Sequence, residues 1–332
     1  MEHPLAASAA RNSAVFAFNG TRPVGEADDA PRFHPLESRR PRRRMRIEDI
    51  ALTQLRMTQQ PYLSLSDGNR IPQLGFGVWQ VPNDHAASAV RTAISCGYRS
   101  IDTAVIYENE QGVGDAIRSA DVPRGDLFIT TKLWNDDQGY DRTLRAFEAS
   151  LKRLRLDYID LYLIHWPSAH RGAFVDSWRA LVHLKKEGRV RSIGVSNFQK
   201  THLDRIITET GVTPVVNQIE LHPRFQQREL RPFHLEMGIL TECWSPLGQG
   251  RLLADPKIAT LAARHGKTPA QVILRWHLQN GFIVIPKSVT PSRIRENTDI
   301  FDFQLSADDL AEIASLDDPR GRIGPNPDTA MF

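Results

Sequence analysis

The chain has 332 residues, 41% of them apolar, and a formal net charge of +3. That length holds either two average domains or a single α/β barrel, which commonly uses about 250 residues. Only two cysteines occur, Cys96 and Cys243, far apart in sequence; this argues against a disulfide framework and for a reducing, cytoplasmic setting, while no spacing suggests a zinc site and no apolar run approaches the ~20 residues that span a bilayer.

Residues 1–56 carry ten arginines, no lysine and seven acids, and the remainder balances 32 basic against 32 acidic residues. The net charge therefore sits in the first segment, and the rest offers no electrostatic argument for nucleic acid or a membrane surface. Weak periodicity, scattered Pro, Gly, Ala and Ser, and the run Arg39-Arg40-Pro41-Arg42-Arg43-Arg44 make residues 1–58 read as a disordered N-terminal extension. The arginine run is open to two readings, an anion-binding arm or a solvated tail, and the stretch before Met57 to two more, mature protein or sequence upstream of the true start. Val15–Phe18 is too short for a signal-peptide core, and the sequon at Asn19-Gly20-Thr21 carries no weight without a secretion signal.

Order is expected from about Tyr62. Leu63-Ser64-Leu65, the turn signal Asp67-Gly68 and Arg70-Ile71-Pro72 spell a small hairpin. Short apolar strands then alternate with amphipathic helices: strand Leu74–Trp79 with helix Asp84–Cys96, Ser100–Asp102 with Asn109–Ser119, Leu127–Lys132 with Tyr140–Leu154, and Ile159–His165 with Phe174–Lys186. The rhythm continues through Ser192–Val195 with Lys200–Glu209, Val215–Ile219 with Glu229–Met237, Leu240–Trp244 with Pro256–His265 and Pro269–Gln279, and Ile283–Ile285 with Ser292–Thr298. Eight βα units in one run imply a closed parallel (β/α)8 TIM barrel over residues 59–332, with strands apolar throughout because both faces are covered. Pro319–Phe332, rich in Pro, Gly and Arg, reads as a loop.

Four polar residues close these strands or lie just beyond them: Asp102, Tyr107, Lys132 and His165. A parallel barrel presents chemistry at that rim. A phenol near pKa ~10 is a poor proton donor at neutral pH; an adjacent ammonium should lower it, and a carboxylate should hold that ammonium charged. Tyr107, Lys132 and Asp102 suit those roles, and His165 as neutral imidazole suits a hydrogen bond to a substrate oxygen. Singly, a tyrosine or histidine at a strand end is ordinarily packed, and Asp102-Thr103 also suits a helix cap; a lysine ending an apolar strand is costly unless paired.

Several blocks, in one order, resemble the aldo-keto reductases over residues 62–332: Leu74–Trp79, Gly97–Glu110, Thr131-Lys132-Leu133-Trp134, Leu161–Pro167, Ile193–Phe198, Val216–Glu220, Trp244–Gly248 and Ile285-Pro286-Lys287-Ser288. The segment from Pro167 to Trp178 and the tail Gly321–Asp328 resemble the prokaryotic branch that includes 2,5-diketo-D-gluconate reductases. The resemblance implies a monomeric reductase of aldehydes and ketones, keto-sugars and dicarbonyls among them, using NADPH, with Tyr107, Lys132, Asp102 and His165 catalytic. No Gly-x-Gly-x-x-Gly follows a strand, so the cofactor is expected at the last loops of the barrel. By resemblance, Lys287, Ser288 and Arg293 hold a 2′-phosphate, with Glu296 and Asn297 at the adenine. Trp244 stacks on the nicotinamide, Ser196, Asn197 and Gln218 meet its carboxamide, and Ser245 and Leu247 lie by the pyrophosphate. Trp79, Trp134 and Trp166, beside His165, would wall the substrate mouth, although each is equally compatible with core packing. Arg322 in the terminal loop is a candidate contact for carboxylated substrates. Two alternatives stand beside this reading: an NADPH-binding, redox-sensing regulatory subunit, and a metal-dependent hydrolase for which only His165 and His222 are placed at strand ends.

Overall fold

A computed structural model describes residues 60–332. The expectations for residues 1–58, the arginine run and the sequon included, lie outside the described residues, as does the lower boundary of the barrel domain. Strands β1 (Tyr62–Ser64) and β2 (Arg70–Pro72) form an antiparallel hairpin around Asp67-Gly68. Eight strands then pair in parallel and in sequence order: β3 (Gly75–Gly77), β4 (Ser100–Asp102), β5 (Phe128–Leu133), β6 (Ile159–Ile164), β7 (Val190–Ser196), β8 (Val216–Glu220), β9 (Leu240–Trp244) and β10 (Ile283–Val284). The Leu74–Val284 bridge, with Val284 N donating to Gln73 O at 3.0 Å and Gly77 N to Pro286 O at 3.2 Å, joins the last strand to the first. The result is the closed (β/α)8 barrel that the alternation of short strands and helices predicts.

Helices α1 (Asn83–Ser95), α2 (Glu110–Arg118), α3 (Tyr140–Leu154), α4 (Phe174–Lys186), α5 (Lys200–Thr210), α6 (Leu230–Glu236), α7 (Pro256–His265), α8 (Pro269–Gln279) and α9 (Pro291–Glu296) follow the strands. In α3, Thr143, Ala146, Phe147, Ser150, Leu151 and Leu154 are buried, the stripe that a 3.6-residue period lays against a sheet. Burying Phe147 or Leu154 is worth about 2–3 kcal/mol each. The sequence reading has no counterpart for α10 (Ala307–Ala314), although Ser306 and Asp309 form a reciprocal capping box at its start.

Period-2 alternation divides every strand between barrel interior and helical shell. Leu161, Leu163, Val216 and Ile283 form a cluster with Leu65 and Ile71 of the hairpin, which thereby plugs the N-terminal end. Small residues make room inside: a Cβ at Gly194 would meet Val216 O at 2.6 Å and Leu163 Cδ2 at 2.8 Å. One layer higher the same inward register carries Asp102, Lys132, Gln218 and Glu242, so the interior turns from apolar to polar toward its C-terminal rim.

Candidate active site

Asp102 is the last residue of β4, Lys132 the penultimate residue of β5, and His165 follows β6 directly. Tyr107 ends a single 3₁₀ turn, Val105–Tyr107, that leaves β4, and Glu108 after it takes a left-handed conformation with φ 55°. Asn109 fixes this turn: its side chain accepts from Thr103 Oγ1 at 2.7 Å and donates to Val78 O and Val81 O, both at 2.9 Å. Beneath it, Glu110 accepts from Thr131 Oγ1 and Arg153 Nε, each at 2.6 Å.

Lys132 is fully buried, and Nζ lies 2.5 Å from Asp102 Oδ1 and donates to Thr103 O at 2.9 Å. Burial alone would push this ammonium down; the charge and hydrogen bond of Asp102 hold it above the ordinary lysine value. Nζ also sits 5.2 Å from the centre of the Tyr107 ring. The Tyr107 phenol is raised, because burial and the Asp102 charge outweigh the pull of Lys132. This differs in sign from the lowered phenol of the sequence argument, which weighed the ammonium without the desolvation. His165 stands edge-on to Tyr107 with ring centroids 5.7 Å apart, and burial, with Lys132 nearby, drives its pKa well below 6.5. Its imidazole is neutral near pH 7, and Nδ1 is buried without a hydrogen-bond partner among the described residues.

Trp134 packs edge-on to His165 at 5.3 Å. Phe332, absent from the sequence reading, stacks on Trp134 (5.9 Å, 12°) and meets Trp166 edge-on at 5.0 Å. Trp79 is exposed. Arg322 lies over the Phe225 ring at 4.5 Å, within the fields of Glu220 and Asp328.

On the opposite side of the rim, Ser196 Oγ donates to Gln218 O at 2.8 Å, and Asn197 (φ 63°) spends both ends of its amide: Oδ1 accepts from Trp244 Nε1 at 2.8 Å, and Nδ2 donates to His165 O at 3.0 Å. The same residue thus orients Trp244 and the backbone of His165. Gln218 Nε2 donates to Asp102 Oδ2 at 2.8 Å and to Glu242 Oε2 at 2.9 Å. Ser245 takes a left-handed φ of 48°, and Leu247 packs half-buried on the core. Glu220 accepts from Ile323 N at 2.6 Å and Gly324 N at 2.8 Å, which lays the terminal loop against Trp244; a Cβ at Gly324 would strike that indole.

Beyond the C-terminal end of β10, Lys287 and Arg293 are exposed and have no ion-pair partner among the described residues, while Ser288 Oγ accepts from Thr290 N at 3.1 Å. Glu296 is tied to Thr268 Oγ1 at 2.7 Å, and Asn297 is buried. Among the described residues no cluster suited to a metal ion occurs, and no helix is long and apolar enough to cross a membrane.

The family model described as "Aldo/keto reductase family" matches residues 73–318. The chain is similar to an aldo-keto reductase of Mycolicibacterium smegmatis, 58% identical over 272 residues that cover 82% of this chain and 98% of the relative. It is similar also to methylglyoxal reductase DkgA of Escherichia coli K12, 55% identical over 274 residues with the same coverage. Among solved structures it resembles a mutant of Gox0644 in complex with NADPH, with TM-score 0.80, 56% identity and coverage of 82% of this chain and 99% of that one. A Bombyx mori aldo-keto reductase in complex with NADP gives TM-score 0.73 and 36% identity over 78% of this chain and 93% of that one.

Proposed function

The chain belongs to the aldo/keto reductase family, and from that premise we propose that it reduces small aldehydes and ketones, dicarbonyls such as methylglyoxal and keto-sugars among them, with NADPH as cofactor and Tyr107 as proton donor. The observation that carries the reading is the buried Lys132–Asp102 pair beneath the Tyr107 ring, with a neutral His165 beside it. The similar relative named methylglyoxal reductase and the similar structures holding NADPH or NADP support the substrate class and the cofactor.

The residues present suit that cofactor. Lys287 and Arg293 are free, exposed cations on either side of the turn into α9, with the Ser288 hydroxyl between them, a donor set matched to a 2′-phosphate. Glu296 and Asn297 line the end of the same helix. Gln218 spends both N–H groups on carboxyl oxygens and keeps its carbonyl as an acceptor for a carboxamide, beside Ser196 and Asn197. Trp244 supplies a flat aromatic face, and Ser245 and Leu247 border the path between these two ends. NADPH, when bound, supplies the hydride.

The chain's own residues then manage the oxygen and its proton. His165, being neutral, donates a hydrogen bond to the carbonyl oxygen without competing for the proton. Tyr107, a phenol that is protonated at neutral pH, gives its proton as negative charge gathers on the substrate oxygen. Lys132, held charged by Asp102, stabilises the phenolate left behind. Trp134, Trp166 and Phe332, with Trp79 at the edge, exclude water from the carbonyl.

The test is oxidation of NADPH with a panel of dicarbonyls, aldehydes and keto-sugars by wild type and Tyr107→Phe, with NADH in parallel. Turnover that falls by about 10³-fold or more in the variant supports the assignment; turnover that survives removes Tyr107 as the acid. Tight NADPH binding without turnover on any carbonyl would favour a regulatory, redox-sensing role instead.

A further inference from the structure

One buried acid takes no part in the scheme above. Glu242 sits at the centre of β9, fully buried and facing the barrel interior directly across from its register partner Gln218. Its Oε2 accepts from Gln218 Nε2 at 2.9 Å, and its Oε1 has no hydrogen-bond partner among the described residues. The other N–H of Gln218 goes to Asp102 Oδ2 at 2.8 Å, and Asp102 Oδ1 holds Lys132. A continuous polar bridge thus crosses the interior from β9 through β8 and β4 to β5. Its polarity is fixed by chemistry: two carboxyl oxygens face one amide, so the nitrogen must point inward and the carbonyl outward.

We propose that Glu242 is a positioning residue for proton transfer at Tyr107, acting through Gln218 and Asp102: it locks the Gln218 amide, and its charge sets how firmly the phenol keeps its proton. The inference rests on the assignment of Tyr107 above. The groups facing Glu242 are Asp102 on β4, Lys132 on β5, Gln218 on β8 and, beyond Asp102, Tyr107; the Cys243 thiol, next on its own strand, lies on the opposite face within its field, and on the β10 side its neighbour is Ile283. Burial, reinforced by Asp102, pushes the Glu242 carboxyl up to about 8. Below that pH it is neutral, and Asp102 is the nearest counter-charge to Lys132. Above it, a second carboxylate enters the interior and holds Tyr107 in its protonated form. Reduction needs the phenol and alcohol oxidation needs the phenolate, so ionised Glu242 prolongs reduction into alkaline solution and restrains the reverse reaction.

The experiment is the pH profile of kcat and kcat/KM, in both directions, for the full chain with NADP(H), comparing wild type, Glu242→Gln and Glu242→Asp. Gln keeps an acceptor for Gln218 but cannot ionise; Asp can. The expected result is an alkaline limb for reduction moved to lower pH by about half a unit or more in Glu242→Gln, oxidation gaining at neutral pH, and return toward wild type in Glu242→Asp. Superimposable wild-type and Gln profiles overturn the inference. Infrared titration of the wild-type protein gives a second check: a protonated-carboxyl band lost between pH 7 and 9 is expected, and its absence at pH 7 overturns the inference even if the Gln variant does not fold. Tyr107→Phe run alongside separates the failures. Turnover surviving that change refutes the acid itself, whereas a dead Tyr107→Phe with unshifted Glu242→Gln profiles refutes only the role of Glu242.

Discussion

Asp102→Asn isolates the electrostatics of the site. In the wild type Lys132 is fully buried with its ammonium 2.5 Å from Asp102. Asn fits the same space and still accepts a hydrogen bond, but it takes the adjacent counter-charge from a buried ammonium, which costs about 3–5 kcal/mol. The loss has a ceiling, because the lysine can shed its proton instead. From the ordinary lysine value of 10.5, deprotonation at pH 7 costs about 5 kcal/mol, and at pH 9 only about 2 kcal/mol. The sign follows from linkage. Wild-type Lys132 has its pKa raised, so its stabilisation is complete below 10.5 and is lost only as pH rises through the folded value. In the variant the folded pKa falls below the unfolded one, the unfolded chain binds more protons, and stability rises with pH. Calorimetric or circular-dichroism melts at pH 7 should therefore show Tm lowered by roughly 6–10 °C, taking about 2 °C per kcal/mol for a chain of this size. At pH 9 the deficit should shrink to the ceiling of about 2 kcal/mol, roughly 4 °C. A deficit identical at the two pH values, or one below about 1 kcal/mol at pH 7, would refute the reasoning.

His165, His234 and His277 all carry pKa values pushed down by burial, the latter two to about 4 and about 3. Each is neutral in the folded chain while its unfolded counterpart takes up a proton below 6.5, so stability should fall by about 1.4 kcal/mol per histidine between pH 7.5 and 5.5; urea midpoints at the two values check this, and equal midpoints would contradict it. Lys287→Ala and Arg293→Ala should each raise the KM for NADPH by about tenfold or more, the scale of one charge-assisted phosphate contact, with NADH kinetics unchanged; equal effects on both cofactors would place the 2′-phosphate elsewhere. Phe332→Ala removes the ring stacked on Trp134, worth about 1 kcal/mol, and should raise kcat/KM for bulky aromatic ketones about fivefold while leaving methylglyoxal nearly unaffected, read from a substrate series.

The barrel itself was legible because its signals are repetitive. Ser100–Asp102, Leu240–Trp244, Tyr140–Leu154, Phe174–Lys186, Pro256–His265 and Pro269–Gln279 have the bounds that their apolar patterns predict, and the other strands and helices differ by at most two residues at an end, where fraying rather than periodicity decides the end. Helix α10 was readable in principle from the capping signature Ser306-Ala307-Asp308-Asp309, which stands outside the eight strand–helix units. At the site, the strand-end residues stood out because a charge closing an apolar run has to be explained. Glu242 carries the same mark but sits inside Leu240–Trp244 rather than at its end, whereas Glu220 closes Val216–Glu220 as openly as the other strand-end charges do. Asn109 and Phe332 leave no comparable trace: one acts through two bonds to backbone carbonyls and one from the Thr103 hydroxyl, the other by contacts across nearly 200 residues of sequence. The raised phenol of Tyr107 was not legible at all, since desolvation belongs to the folded environment and not to the residue.

The seam between Leu74 and Val284 has a consequence for how the protein comes into being. The opening strand of the barrel finds its second neighbour only in the closing strand, some two hundred residues later. During synthesis at about 5–20 residues per second, β3 and β4 leave the ribosome many seconds before β10, and for that interval the growing sheet has an open edge on each side. Asp102 and Lys132 can already meet in this half-built sheet, whereas Gln218 and Glu242 have yet to be translated. A nascent chain halted before Ile283 would thus hold its buried charges beside unpaired strand edges, a form suited to chaperone capture or aggregation rather than to chemistry.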